Sequence, residues 1–206
     1  MRNLRRMGAA LLALALMLSL NLTVFAAAAD TGFSDVSADA WYADAVAYVR
    51  DNGLMSGTSA AAFDPDGTMT RAMLAQTLYR AAGSPAVSGS DSFTDTAEGA
   101  WYADAVLWAS RQGVISGYGS GLFGTDDLVT REQIAVILWR YAGSPAAEAG
   151  TDFADEADIS AYAAQAVDWA RASGVVNGAD GNRFLVNAKR HRKAHQKFEP
   201  VRTECR

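Results

Sequence analysis

AWYADAV stands at Ala40–Val46 and again, letter for letter, at Ala100–Val106. A buried helix accounts for the residue types but not for a verbatim copy. A third version, AYAAQAV, stands at Ala161–Val167 with a residue inserted upstream of it. Aligning the chain on these stretches brings other segments into step. FSDV at Phe33 recurs as FTDT at Phe93 and FADE at Phe153. GLMSG at Gly53 becomes GVISG at Gly113 and GVVNG at Gly174. AFDPDGTMTRAM at Ala62 returns as LFGTDDLVTREQ at Leu122, and AAGSPA at Ala81 as YAGSPA at Tyr141. A fixed period means supersecondary units that bury their faces against one another.

Each unit reads as helix, tight turn, short extended piece, helix. In the first, Trp41, Tyr42, Ala45, Val46, Tyr48 and Val49 fall on one side at helical spacing. Asn52-Gly53 stops that helix, because glycine enters the left-handed region without penalty. Phe63-Asp64-Pro65-Asp66-Gly67 is a turn. Thr70 opens the second helix, whose predicted stripe is Met73, Leu74, Thr77, Leu78 and Ala81, ended by Gly83 before Pro85. In the second unit Thr130 and Gln133 match a capping box.

Residues 1–29 have the form of a secretory signal peptide. Arg2, Arg5 and Arg6 precede the apolar run Ala9–Leu20, and Ala26–Ala29 offers small residues for cleavage. Asn21 and Thr23 interrupt the run before it reaches membrane-spanning length, so no membrane association is expected after cleavage. Residues 30–90, 91–150 and 151–188 are then two full units and a partial third.

The chain holds 18 basic and 23 acidic side chains, unevenly placed. Residues 30–188 carry 8 arginines against 21 acids and contain no lysine, histidine or cysteine. Such a surface argues against nucleic acid, whose phosphates call for basic patches. Without cysteine the fold rests on its apolar core, and without histidine the usual general base and metal ligand are missing. DPDG at Asp64 lacks the remaining ligands of a calcium loop, and nothing else calls for a metal or cofactor. No spacing singles out the paired carboxylates of a glycoside hydrolase.

The tail, 189–206, obeys a different composition. It holds seven basic residues, both histidines, Cys205 and Pro200. Arg192 falls where a third TR pair would stand, but His191 replaces the threonine and no apolar stripe follows. The reading is a third helix lost to a frameshift or gene-end artefact.

The combination of FxDV, WYADAV and a TR-headed helix some 24 residues later resembles the S-layer homology repeat of bacterial surface proteins. The resemblance covers residue 33 to about 188. It implies an all-α fold of three helix-turn-helix repeats with pseudo-threefold symmetry, TR-headed helices in a central bundle, and grooves between repeats. It also implies a non-enzymatic role: anchoring to a secondary cell-wall polysaccharide bearing pyruvylated sugar, at the cell surface. A secreted carbohydrate-active enzyme and a self-associating surface-layer protein are the other classes.

Candidate ligand residues follow. Arg71 and Arg131 sit in a first helical turn, where the macrodipole disfavours cations. They read either as solvated surface arginines or as forks that, with free helix N–H groups, hold a carboxylate; the resemblance favours binding. Trp41 and Trp101 are expected chiefly in the core, with stacking on a sugar as the second reading. Ser56-Gly57, Ser116-Gly117 and Asn177-Gly178 combine turn chemistry with polar groups for a sugar. Asp35 and Asp95 are expected to cap the segment that follows them, or to accept from sugar hydroxyls.

Overall fold

A computed structural model describes residues 30–147, 150, 152–179 and 181–186. The signal-peptide and tail expectations, with the third TR position, lie outside the described residues. Five α-helices run in chain order: α1 (Ala43–Asp51), α2 (Arg71–Ala81), α3 (Ala103–Arg111), α4 (Arg131–Tyr141) and α5 (Ala164–Ala172). One turn of 3-10 helix spans Glu156–Asp158. Among the described residues there is no β-strand, only isolated bridges at Thr70–Leu128 and Ala179–Arg183. The fold is all-α, built from repeated units.

Local chemistry sets the helix ends. The Thr70 hydroxyl accepts from Met73 N at 3.3 Å, and Thr130 with Gln133 forms the full capping box. α1 ends at Gly53, whose φ of +65° lets Gly53 N reach Arg50 O at 2.9 Å and Leu54 N reach Val49 O at 2.8 Å. That double closure satisfies carbonyls the helix leaves open. Gly113 ends α3 in the same way, with Val114 N on Ala109 O at 2.9 Å.

The Phe-x-Asp motif explains how each unit closes. Its phenylalanine meets the phenylalanine after the turn: Phe33–Phe63 and Phe93–Phe123 at 5.4 Å between centroids, Phe153–Phe184 at 5.5 Å. Its aspartate then caps the backbone beyond that second ring. Asp35 accepts from Phe63 N and Asp64 N at 2.8 and 2.7 Å, Asp95 from Phe123 N and Gly124 N at 2.7 and 2.6 Å. Asp155 does the same for Phe184 N and Leu185 N. The expectation for Asp35 and Asp95 is corrected in its target: they cap a segment 28 residues on, not the one that follows.

α2 packs against α3, and α4 against α5. The second helix of each unit therefore lies on the first helix of the next. A core with Leu74 and Leu78 of α2, Val106 of α3 and Ile137 of α4 joins the first two units. A second cluster sets Ala135 and Val136 of α4 against Phe153, Val167 and Phe184. Both predicted stripes need adjustment. α1 buries Ala43, Val46 and Val49, while Trp41 lies in the turn before it. On α2 the buried set is Arg71, Ala72, Leu74, Ala75, Leu78 and Tyr79, and Ala81 is exposed.

Candidate functional site

Arg71 is 4 % exposed and Arg131 7 %, so neither is a solvated surface arginine. Arg71 crosses to the second unit, donating from Nε to Phe123 O at 2.9 Å and from Nη2 to Ser116 O at 2.8 Å. Its guanidinium lies 4.5 Å from the centre of the Tyr118 ring. Arg131 repeats the manoeuvre into the third unit, donating to Asn177 O and lying 5.3 Å from the Phe184 ring centre. The helix start beside Arg71 is not open to an anion either. Arg71 N donates to Asp127 O at 2.9 Å and Ala72 N to Thr125 O at 3.2 Å. Burial lowers the Arg71 pKa from its ordinary value, opposed by Tyr118, Asp127 and Asp95. The TR arginines thus fasten each unit to the loop of the next.

That loop is where the glycines matter. A Cβ on Gly57 would come closer than 3.0 Å to Ala62 O and to the Phe33 ring; one on Gly117 would meet Leu122 O and the Phe93 ring equally closely. Gly178 is crowded by Asn182. None of the three has positive φ, so close approach, not turn conformation, requires glycine there. Ser56, Ser116 and Asn177 beside them are exposed. The backbone carbonyls of Ser116 and Asn177 are the acceptors for the two arginines.

Trp41 and Trp101 correct the core expectation most plainly: they are 62 % and 60 % exposed. Each stands edge-on to the following tyrosine, Tyr42 or Tyr102, at 5.3 Å. The corresponding residue of the third unit is Tyr162, 61 % exposed. Every unit therefore presents one large aromatic face immediately before its first helix. The AYAAQAV alignment, which sets Tyr162 under Trp101, carried this signal.

Around Trp101 and Tyr162 the seams between units carry polar groups that the motif reading passed over. At the first seam Gln76 of α2 reaches the Trp101 backbone carbonyl, with Arg80 against Gln76. With the Gln76 amide nitrogen turned toward Trp101 it donates to Trp101 O at 3.0 Å, and its oxygen accepts from Arg80 Nε at 3.1 Å. Arg80 Nη1 also donates to Leu54 O at 3.4 Å. At the second seam Arg140, the counterpart of Arg80, donates to Ser116 Oγ at 3.4 Å. Glu132, 3 % exposed, accepts from Ser160 N at 3.2 Å and holds the Tyr162 hydroxyl. Burial first, then that bond to Glu132, raises the Tyr162 pKa. Arg80 and Arg140 occupy matching places before AGSPA in both units, a periodicity visible in YRAAGSPA and WRYAGSPA.

What the seams offer is an exposed aromatic residue at each, with half-buried arginines and short polar side chains on the same seam. Among the described residues no His/Cys/Asp/Glu cluster could hold a metal ion. The geometry suits binding of a ligand with both apolar faces and hydroxyls.

A binding domain made of tandem surface-layer repeats is the class that this fold and these seams define. The sequence profile of the S-layer homology domain matches residues 32–73, 92–135 and 152–189. The chain belongs to that family, whose domains anchor proteins at the bacterial cell surface by binding cell-wall polymers. It is 29 % identical over 178 residues to the surface-layer 125 kDa protein of Lysinibacillus sphaericus, covering 86 % of this chain and 15 % of that protein. It is 32 % identical over 113 residues to the S-layer protein of Bacillus thuringiensis subsp. finitimus, covering 54 % and 14 %. It is also 28 % identical over 159 residues to an amylopullulanase of Thermoanaerobacterium thermosulfurigenes, covering 75 % and 8 %. The chain thus spans less than a fifth of these relatives' length.

Proposed function

We propose that this chain holds a protein to the bacterial wall by binding a secondary cell-wall polysaccharide in the seams between its repeats. The binding is non-covalent and involves no turnover. The observation that carries this reading is an exposed aromatic residue at each seam, Trp101, whose backbone carbonyl is joined to Arg80 through Gln76, and Tyr162, whose hydroxyl feels the charge of Arg140. An aromatic face stacks on the apolar face of a sugar ring, while a guanidinium fork takes hydroxyls or a carboxylate from the side. An acidic pyruvyl ketal, which the family resemblance implies, suits that fork. Ser56 and Ser116 supply short polar groups at the same edges. Arg71 and Arg131 act here as positioning residues, because they hold the Ser116 and Asn177 carbonyls and so fix the loops. Gly57, Gly117 and Gly178 let those loops close against the Phe-x-Asp rings, and Asp35 and Asp95 clamp them from the other side.

The test is co-sedimentation of the purified protein with cell-wall sacculi. Replacing Trp101 by alanine, and Tyr162 by phenylalanine and then by alanine, should progressively abolish retention, with the Trp101→Ala step leaving the thermal melt close to that of the parent. Full retention by the folded double variant would move the binding site away from the seams.

A further inference from the structure

The two described seams are built from equivalent positions but differ in charge. At the first, position 72 is alanine and the seam cation Arg80 is joined by the neutral amide of Gln76 to the Trp101 backbone carbonyl. At the second, the equivalent of Ala72 is Glu132, a carboxylate 3 % exposed that is bound to Ser160 N and the Tyr162 hydroxyl. The charge of Arg140 acts on that same hydroxyl in the opposite sense to Glu132. Arg71 lies behind Tyr118, where the charges of Asp95 and Asp127 act on it in the opposite sense to that of Arg140. A carboxylate buried this far is screened little by solvent or salt, so its field extends to whatever rests on Tyr162. The first seam therefore offers a cation with no buried acid at position 72, and the second offers a cation opposed by one.

Taking the seams as glycan sites, we infer that they select different sugar residues. The first takes a residue bearing a carboxylate, and Glu132 reserves the second for an uncharged one. Glu132 is then a specificity-determining residue. A polymer that alternates or terminates in an acidic sugar binds in one register across the two seams, with its acidic residue on Trp101. An anion placed at the second seam meets like-charge repulsion from Glu132 that it does not meet at the first.

Two probes separate the seams: a neutral methyl hexoside and its pyruvyl ketal. Each is titrated into the nitrogen-15-labelled protein. The Trp101 indole N–H reports on the first seam and the Tyr162 backbone amide on the second. The ketal should shift Trp101 and leave Tyr162 unmoved at the same concentration, while the neutral glycoside shifts Tyr162. In Glu132→Gln, whose single amide oxygen can still accept from Ser160 N, the ketal should bind the second seam about tenfold more tightly, the effect of removing one weakly screened charge. Glu132→Ala, which copies the first seam, should move in the same direction. Equal ketal affinity at both seams of the parent protein, or no change in Glu132→Gln, overturns the selectivity and leaves glycan binding intact. If neither probe moves either reporter, the glycan reading itself fails and the selectivity falls with it.

Discussion

Replacing Arg71 by alanine should destabilise this protein rather than remove a contact to any ligand. The side chain is 4 % exposed and donates two charge-assisted bonds, to Phe123 O at 2.9 Å and Ser116 O at 2.8 Å. It also lies 4.5 Å from the Tyr118 ring centre. Bonds to a charged group contribute about 1.5–3 kcal/mol each, and two carbonyls stripped of their donor keep their desolvation cost. Their sum overlaps what removing one partner of a buried charged pair costs, so about 3–5 kcal/mol is the expected loss. A domain of this size has roughly 5–15 kcal/mol in total, and each kcal/mol moves the melting temperature by about 2–4 °C. Thermal and urea melts followed by circular dichroism should therefore show a fall of about 10–15 °C, and Arg71→Lys, with one point donor in place of a fork, should recover less than half of it. A variant melting within about 1 °C of the parent, with its glycan binding lost, would refute the structural assignment and return Arg71 to the ligand.

The tryptophans should divide by burial. Trp101→Ala, at 60 % exposure, should cost under about 1 kcal/mol, whereas Trp108→Ala, 7 % exposed against Tyr79 and Tyr141, should cost about 3–5 kcal/mol in the same melts. Burial pushes the Asp95 and Asp155 carboxyls up, but the backbone N–H groups they accept from outweigh it and hold both below the ordinary carboxylate value. The unfolded chain then binds more protons than the native one in that window, so stability is fully present above about pH 4 and is lost as pH falls through the folded values. Urea midpoints measured from pH 7 to 2 should show that acid limb, and Asp95→Asn should flatten it. Gly117→Ala should cost about 1–3 kcal/mol by forcing Cβ into the Phe93 ring and Leu122 O, measurable as a shifted urea midpoint with unchanged slope.

Which features could be read from the chain follows from how far their partners lie. The caps at Thr70 and Thr130 and the glycine stops at Gly53 and Gly113 are settled within one helical turn, so sequence spacing is enough. The period is legible because AWYADAV repeats verbatim. Arg71 was opaque because its acceptors are 45 and 52 residues away, in another unit. A first-turn arginine is poorly placed for its own helix, but the next unit's loop, not an anion, compensates it. Asp95 was half legible: capping was right, the target 28 residues distant was not. Trp41 and Trp101 misled because a helical wheel was extended past the helix. α1 begins at Ala43 and α3 at Ala103, so the preceding tryptophan follows turn geometry and points out. Glu132 drew no notice because its counterpart is alanine, and a repeat-based reading attends to what recurs.

Anchoring through a wall polysaccharide is tested most directly by sacculi prepared from one culture and divided in two. One half is kept intact, and the other is treated with acid to strip the secondary polymer while leaving peptidoglycan. The protein should co-sediment with the intact sacculi and stay in solution with the stripped ones, and free polymer added back should compete it off. Equal retention by stripped and intact sacculi would contradict the assignment and place the ligand in peptidoglycan itself.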